Sequence, residues 1–339
     1  MKGILLNNLG SPDSTQTKDV KKYLGEFLMD ERVIDIPYIK RWILINGIIL
    51  NVRPKKSSSA YKKIWWKEGS PLVVISKRFA KKIIKKIDIP LALAMRYGSI
   101  SMEKGIKELV DKGVTEIFLI PLYPHYAMSS YETVVTKAEE ILAEKYPNVK
   151  LDVLPPFYKN PGYIKAMSNN ISNHLKNFDY DHILFSYHGI PERHILKSDV
   201  TKSHCKIDGS CCERNSVAHH TCYRHQCFET TKEIAKSLNL KEGTYSNSFQ
   251  SRLLKDPWLK PYTDFELEKF PSEGKKKIAV ITPAFVSDCL ETLEEIAMEG
   301  KDEFLKFGGT DFKHIPCMND NDDWVDEMVS WINKWKVNN

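Results

Sequence analysis

Short apolar runs alternate with longer amphipathic stretches along most of this 339-residue chain. Compact apolar runs bounded by turn residues predict strands, at residues 3–7, 90–96, 116–121, 149–154, 183–186 and 277–281. Stretches with apolar residues at helical spacing predict helices, at residues 19–27, 102–112, 130–145, 162–176, 227–237, 288–300 and 322–336. This alternation predicts parallel α/β sheets with helices on both faces.

The loops that follow the predicted strands are the first places to search for function, because ligands of such sheets bind beyond the carboxyl ends of the strands. These loops begin after Leu6, Ala94, Pro121, Phe185 and Ile281. The chain contains neither a G-x-G-x-x-G nor a G-x-x-x-x-G-K-[ST] motif. Dinucleotide and P-loop nucleotide binding therefore have no direct support.

Length and charge narrow the class of protein. At roughly 150 residues per domain the length suggests two domains, and the Pro-rich stretch 155–161 is the best linker between them. Fifty basic and 44 acidic residues give a dispersed net charge of +6, which is not typical of a nucleic-acid binder. No apolar run reaches the ~18 residues of a membrane span, and the first residues resemble a strand more than a secretion signal. We expect a cytoplasmic protein with reduced thiols.

The segment 42–52 is apolar on all sides and is followed by the basic run Arg53-Pro54-Lys55-Lys56. A buried helix is one interpretation. The other is an apolar lip that touches a greasy ligand or a membrane surface, with the basic residues on the lipid headgroups.

Two groups of residues could carry acid–base or metal chemistry. His188 lies just past a predicted strand, where a neutral imidazole can accept a proton or bind a metal, although a histidine bonded within a turn fits equally. Glu291, Glu295 and Glu299 recur at helical spacing. They could form a solvated face, Asp288 and Glu291 could form a capping box, or the row could conduct a divalent cation.

Five cysteines fall between residues 205 and 227: Cys205, Cys211, Cys212, Cys222 and Cys227. So many thiols in a short polar stretch of a cytoplasmic protein indicate metal binding. The spacing lacks the two-residue gaps of a zinc knuckle, whereas four thiolates fit a [2Fe–2S] cluster. Free thiols remain the alternative.

With these loops taken together, the chain resembles the ferrochelatase family, which inserts Fe²⁺ into a porphyrin. The resemblance runs almost end to end, through the motifs at residues 5–13, 23–28, 60–61, 68–72, 94–98, 121–126, 185–191, 249–252, 258–263 and 285–293. It implies two similar Rossmann-like domains with a porphyrin cleft between them. We expect these at 1–158, with the apolar lip at 23–52 and the helix 320–339 added, and at 159–319, with a Cys-rich insert at 201–227.

The resemblance also implies roles for individual residues. His188 matches the catalytic histidine and Glu291 its paired glutamate, while Glu295 and Glu299 fall on the family's acidic path for the metal. Porphyrin-binding positions are matched by Leu9, Arg96, Tyr97, Tyr123 and Ser129. The expected reaction gives protoheme from protoporphyrin IX and Fe²⁺ with release of two protons, His188 accepting a pyrrole proton.

Two features of the sequence bear on the cofactor and on the substrate: the cysteine-rich insert and the residue at position 9. The insert resembles the internal cluster segment of some bacterial ferrochelatases, so we expect a [2Fe–2S] cluster on Cys205, Cys212, Cys222 and Cys227, with Cys211 as the alternate ligand. The coproporphyrin-using branch of the family has a tyrosine where this chain has Leu9, so protoporphyrin IX is the expected substrate. The alternatives are a chelatase of the same fold for another metal or tetrapyrrole, and a non-catalytic heme or metal carrier.

Overall fold

The computed structural model describes residues 1–252 and 256–338, which form two compact units. The first unit contains Met1–Tyr123, Met128–Pro155 and the chain from Asn319 onward. The second contains Pro124–Ala127 and Pro156–Met318. Each unit is an α/β structure built around its own parallel sheet.

The secondary structure of the described residues follows the predicted alternation. The strands are Lys2–Gly10 (β1), Leu91–Tyr97 (β2), Glu116–Pro121 (β3), Lys150–Val153 (β4), His182–His188 (β5), Tyr245–Gln250 (β6), Lys277–Ile281 (β7) and Asp311–His314 (β8). The α-helices are Thr17–Met29 (α1), Tyr38–Trp42 (α2), Leu50–Ile64 (α3), Pro71–Ile84 (α4), Met102–Asp111 (α5), Thr133–Lys145 (α6), Pro161–Leu175 (α7), Glu192–Ser198 (α8), Tyr223–Ser237 (α9), Thr263–Lys269 (α10), Lys301–Lys306 (α11) and Asp322–Asn338 (α12). Three segments are π-helical, Ile43–Ile49, Met128–Glu132 and Glu291–Gly300, and two are 3₁₀, Val217–His220 and Phe270–Glu273.

The two sheets have the same topology. In the first unit the strand order is β2-β1-β3-β4, and in the second it is β6-β5-β7-β8, with every pairing parallel. In each sheet the chain starts in an inner strand, adds one neighbour on one side, and then crosses to the other side. The direction of winding therefore reverses between β1 and β3, and again between β5 and β7, which makes these two places the switch points where such folds bind ligands.

Burial explains why these segments form strands and helices. Leu5, Leu119 and Ile106 in the first unit are completely buried, in a core between its sheet and the helices α5 and α6. In the second unit Val280 and Phe304 belong to the equivalent core. Inner strands of a parallel sheet are covered on both faces, so their sequences are continuously apolar.

The helix α12 packs on the first unit through its tryptophans. Trp324 stacks on Phe79 with 5.8 Å between ring centroids, and Trp335 stacks on Phe118 at 4.9 Å. The Trp335 indole N–H also donates to Asp152 at 2.8 Å. These contacts join the last helix to β3, β4 and α4, which lie early in the chain.

Two strands and several short helices were not predicted, and one predicted helix has a different geometry. The strands β6 and β8 were not predicted, because each has few apolar residues and lies at the edge of its sheet. The helix expected at 288–300 is π-helical over Glu291–Gly300, and it begins without a side-chain cap. The Asp288 carboxylate accepts hydrogen bonds from the Thr292 hydroxyl at 2.9 Å and from the Cys317 N–H at 3.3 Å, so the capping-box interpretation is not supported.

The apolar segment around residues 42–52 is buried on one side and exposed on the other. Ile45 and Ile49 are buried, whereas Ile39 and Val52 are 72% and 73% exposed. Across the residues that the structure describes, none of the helices is long and apolar enough to cross a membrane.

Candidate active site

The carboxyl edge of the second sheet gathers the main candidate residues. His188 is the last residue of β5 and is paired in register with Gln250, the last residue of β6. The neighbouring strand β7 ends at Ile281 and leads into the segment that carries Glu291. His188 and Glu291 therefore follow the two strands that flank the switch point of this sheet.

The backbone around His188 fixes which imidazole nitrogen can act as a base. The Nδ1 atom lies 2.6 Å from the Gly189 carbonyl oxygen. A carbonyl oxygen only accepts, so we infer that Nδ1 carries the hydrogen and that Nε2 is the unprotonated nitrogen of the neutral ring. The rings of Trp258 and Phe285 lie 6.4 and 6.3 Å from the imidazole centroid, and they form the apolar surroundings of the histidine.

Gly189 allows the loop after β5 to approach β6 closely. Its N–H donates to the Gln250 carbonyl at 2.7 Å. A Cβ at this position would lie 3.0 Å from the Gln250 oxygen, 3.1 Å from the Ser251 oxygen and 3.2 Å from the Trp258 ring. The small residue after His188 is therefore a requirement of packing at the site.

The end of β6 connects β5 to the glutamate segment. The Gln250 side chain accepts from the Ser186 hydroxyl at 2.9 Å and donates to the Glu291 carbonyl at 3.0 Å. Ser251 has φ +62°, a left-handed conformation that is unusual for serine, and its hydroxyl donates to the Glu295 carboxylate. This turn of the backbone brings a hydroxyl to the second glutamate of the row.

The three glutamates lie in the π-helical segment Glu291–Gly300. A π-helix closes i→i+5 hydrogen bonds, so a turn holds more residues than in an α-helix, and residues four apart lie more nearly above one another. Glu291 and Glu295 are half-buried, whereas Glu299 is exposed. The exposure of the row therefore decreases toward the start of this segment.

Two of the expected porphyrin-binding residues take part in a polar network of the first unit. The Asp30 carboxylate accepts from the Arg96 guanidinium, from the Tyr97 hydroxyl at 2.9 Å and from the Thr133 hydroxyl at 2.5 Å. Burial opposes ionisation of Asp30, but these hydrogen bonds and the Arg96 charge outweigh it and lower its pKa. Burial also raises the pKa of Tyr97.

The other three expected porphyrin contacts occupy ends of elements in the first unit. Leu9 lies near the end of β1 and is half-buried, and Tyr123 follows β3. Ser129 belongs to the π-helical segment Met128–Glu132 and is half-buried. Leu9 and Tyr123 thus follow the strands that flank the switch point of the first sheet.

The cysteine segment forms a buried group of thiols. All five cysteines are free and buried. The Cys222 thiol lies within hydrogen-bond distance of both Cys205 and Cys212. Burial raises the pKa of Cys205 to about 11. The pKa of Cys212 is also raised, mainly by its hydrogen bond with Cys222 and next by burial. Cys227 is completely buried and contacts the Tyr223 hydroxyl.

Two charged side chains organise this segment. Arg224 is only 4% exposed, and its guanidinium donates to the carbonyls of Lys206 and Ile207 and lies 3.9 Å from the Cys211 sulfur. The Asp199 carboxylate accepts from the backbone N–H of Cys205 at 2.8 Å.

The donor set of the segment fits an iron–sulfur cluster in ligand type, number and burial, since such clusters take four cysteine thiolates. In the structure Cys222 contacts both Cys205 and Cys212. Within residues 1–252 and 256–338, no group of three or more His, Cys, Asp or Glu side chains is arranged to hold a metal ion.

Sequence reasoning missed several residues of the site. Gln250 and Ser251 are polar residues at the end of a strand that was itself not predicted, although the motif 249–252 contains both. Tyr223 lies in the cysteine segment, and its hydroxyl donates to the His188 carbonyl at 2.8 Å. No local pattern indicates this contact, because it joins positions 35 residues apart.

Solved structures with the same fold are metal chelatases. The sirohydrochlorin chelatase SirB from Bacillus subtilis subspecies spizizenii, in complex with cobalt, has a TM-score of 0.56 at 8% identity, over 98% of this chain and 94% of that chain. SirB from Bacillus subtilis with Fe³⁺ has a TM-score of 0.55 at 11% identity, with the same coverage. Together with the two parallel sheets, these neighbours confirm the predicted α/β class and define a protein with the chelatase fold.

Sequence comparison then gives the family. A family model described as Ferrochelatase matches residues 1–335. A ferrochelatase of Opitutus terrae is 46% identical over 337 residues, 98% of this chain and 97% of the relative, and one of Stutzerimonas stutzeri is 44% identical over 328 residues, 96% of each. The chain belongs to the ferrochelatase family, as the motifs predicted, and it is a lyase of heme biosynthesis.

Proposed function

We propose that this protein inserts Fe²⁺ into protoporphyrin IX, with His188 as the group that accepts a pyrrole proton. The observation that carries the proposal is the 2.6 Å hydrogen bond from Nδ1 to the Gly189 carbonyl, which leaves Nε2 as the basic nitrogen at the edge of the sheet. When Nε2 takes a proton, the Nδ1 hydrogen bond is retained and stabilises the imidazolium. Fe²⁺ replaces two pyrrole protons, so no electron transfer is needed.

The glutamate row is proposed to supply the metal and to help the proton leave. Carboxylates suit Fe²⁺, and the exposure of the row decreases from Glu299 to Glu295 and Glu291. The Ser251 hydroxyl holds one carboxylate oxygen of Glu295, and Gln250 holds the backbone of Glu291. Both contacts fix the inner part of the proposed route.

His188→Ala tests the catalytic role. We expect iron insertion to fall by ~10²-fold or more, since a positioned base contributes that much. Porphyrin binding, followed by fluorescence, should change little. His220→Ala removes an exposed histidine elsewhere in the second unit and serves as the matched control. Turnover of His188→Ala close to that of the control would contradict the assignment.

The residues of the first unit are proposed to contact the porphyrin. Leu9, Tyr123 and Ser129 would touch the macrocycle, with Arg96 and Tyr97 supporting them from the Asp30 network. Leu9 is the residue proposed to favour protoporphyrin IX. In a competition between protoporphyrin IX and coproporphyrin, we expect Leu9→Tyr to raise the share of coproporphyrin turned over. Preference of the unaltered protein for coproporphyrin would overturn the choice of substrate.

The cysteine segment is proposed to hold a [2Fe–2S] cluster, with a structural role. The mutual contacts of Cys205, Cys212 and Cys222 support three of the ligands, and Cys227 is proposed as the fourth, with Cys211 as its substitute. Such a cluster would cross-link the segment and add charge-transfer absorption in the visible range.

Visible spectra of the anaerobically purified protein test the cofactor. We expect broad bands that bleach with dithionite and that disappear in Cys227→Ser but persist in Cys211→Ser. The reverse pattern would exchange the fourth ligand. A colourless protein with five titratable thiols would reject the cluster and leave the chelatase assignment intact.

The apolar lip is proposed to bind a membrane surface from the cytoplasmic side. Tyr38, Ile39, Trp42 and Ile48 are all more than half exposed, and basic residues follow them in the chain. Basic amphipathic segments of this type lie in the headgroup region of anionic bilayers. Sedimentation with anionic vesicles should therefore be lost in Ile39→Asp. Val337→Asp changes an equally exposed residue on α12, and it should sediment as the unaltered protein does.

A further inference from the structure

Tyr223 is a buried residue that reaches the peptide of the catalytic histidine from outside the sheet. It is the first residue of α9, it is 5% exposed, and its hydroxyl donates to the His188 carbonyl oxygen at 2.8 Å. Of its neighbours in sequence, Cys222 is one of the buried thiols and Arg224 contacts them through Cys212. One turn of helix therefore connects the cysteine segment to the proposed catalytic residue.

The tyrosine ring is held on more than one side. His125 packs edge-on against it, with 5.8 Å between ring centroids, and His125 also contacts Tyr187 at 5.4 Å. The Cys227 thiol contacts the Tyr223 hydroxyl. A ring fixed in this way donates along one direction, so its hydrogen bond restricts rotation of the peptide that it meets.

The peptide that Tyr223 meets is the one that orients the imidazole. The His188 carbonyl and the Gly189 N–H belong to one peptide plane, whose N–H donates to Gln250 at 2.7 Å. Tyr223 holds the opposite end of that plane. The next carbonyl, that of Gly189, accepts from the imidazole Nδ1. Rotation of the plane would therefore move the acceptor that fixes the imidazole.

We propose that Tyr223 is a positioning residue for iron insertion, which holds the 188–189 peptide so that the His188 Nε2 atom keeps its direction. This inference rests on the proposed function of His188. Misplacement of a reacting group by about 1 Å can lower a rate by ~10²-fold, so loss of one backbone contact is expected to affect turnover more than porphyrin binding. The role also explains why a tyrosine starts α9 inside the cysteine segment.

The test compares Tyr223→Phe with Tyr163→Phe. Tyr163 is completely buried in the same unit, and its hydroxyl also donates to a backbone carbonyl at 2.8 Å, that of Pro283. Both variants lose a hydrogen bond from the hydroxyl of a buried tyrosine to a backbone carbonyl, so both should lose stability. We expect Tyr223→Phe to lower kcat by ~10-fold or more with little change in the KM for porphyrin. Tyr163→Phe should stay within ~2-fold of the unaltered protein in both constants.

Two further measurements separate this inference from the proposed function. In a His188→Ala background the added Tyr223→Phe change should have no further effect on residual turnover, because the imidazole that the contact is proposed to position is already gone. The carbonyl ¹³C resonance of His188 should shift in Tyr223→Phe and stay in place in Tyr163→Phe. Equal kcat values in the two tyrosine variants would overturn the positioning role, whereas full activity of His188→Ala would overturn the proposed function itself.

Discussion

At the end of β5, the orientation of the His188 imidazole depends on the next residue, Gly189. The contact between the His188 Nδ1 atom and the Gly189 carbonyl assigns the hydrogen of the neutral ring to Nδ1. Gly189 in turn is confined between two backbone oxygens and the Trp258 ring. The position of His188 after an apolar strand was enough to suggest function, but the orientation of its ring depends on contacts with β6 and α9 that no local pattern shows.

Gly189→Ala is expected to lower turnover by ~10-fold or more, since an added methyl group must displace the loop that carries His188. Two of its three near neighbours are backbone oxygens, which cannot rotate away. Gly47→Ala is the control, because a Cβ there meets nothing within 4 Å. Steady-state kinetics should separate the two variants, and unchanged kcat in Gly189→Ala would mean that the loop can shift without cost.

His125 predicts a dependence of stability on pH. Burial lowers the pKa of His125 to about 3, whereas a histidine in the unfolded chain has a pKa near 6.5. Between these values the unfolded chain binds more protons, so stability is full above pH 6.5 and falls as the pH decreases, by up to about 1.4 kcal/mol per pH unit. Chemical unfolding between pH 7 and pH 5 should show a shallower decrease in His125→Gln. An identical slope in that variant would assign the effect to other groups, of which His182 is the first.

At the level of elements, the inner strands of both sheets and the edge strands β2 and β4 were predictable, whereas the edge strands β6 and β8 of the second sheet were not. The apolar runs of β1, β3, β5 and β7 identify the strands that flank both switch points. The edge strand β6 contains Ser246, Asn247 and Ser248, so its periodicity is weak, although its end supplies Gln250 and Ser251 to the site. The sequence also predicted an α-helix for the glutamate segment, because spacings of four residues suit both α- and π-helices.

The Asp30 network joins the end of α1 to β2 and α6, and it predicts the cost of removing a buried charge. Asp30→Asn leaves the Arg96 guanidinium without its carboxylate, and we expect a loss of about 3 kcal/mol in the stability of the first unit. Arg78→Ala removes an exposed ion pair with Glu68 and should lower the stability by about 1 kcal/mol or less.

The Asp30 network predicts a second dependence of stability on pH, and as for His125 the stability falls as the pH decreases. Because the pKa of Asp30 is lowered in the folded protein, its contribution to stability is present above the ordinary aspartate pKa of 3.8 and is lost as the pH falls through the lowered value. Unfolding of the unaltered protein and of Asp30→Asn, measured by circular dichroism at several pH values, checks both the size of the loss and its dependence on pH. A loss that is as large at pH 3 as at pH 7 would argue against an ionised Asp30.

For the whole molecule, two copies of one topology are combined with a last helix that belongs to the first unit. The alternation of elements predicted the parallel sheets, and the apolar face of 322–336 suggested a return to the first domain. The stacking partners Phe79 and Phe118 lie more than 200 residues earlier in the chain, so they could not be read from the sequence.

Trp335→Ala should destabilise the first unit by about 3–5 kcal/mol, since it removes a large buried ring and its hydrogen bond to Asp152. Hydrogen exchange should show the loss of protection in β1, β3 and β4 while β5 to β8 keep theirs. Trp42→Ala, at a half-exposed position, is the control. Equal loss of protection in both sheets would mean that the two units unfold together.

The placement of α12 has a consequence for the order in which the protein is made. Domains usually fold as they leave the ribosome, the N-terminal one first. Here the second unit is completed at Met318, while the first still lacks the helix that covers Phe79 and Phe118. The unit whose synthesis begins first is therefore completed last. Until Trp324 and Trp335 have been synthesised, part of the apolar surface of its sheet stays exposed to solvent.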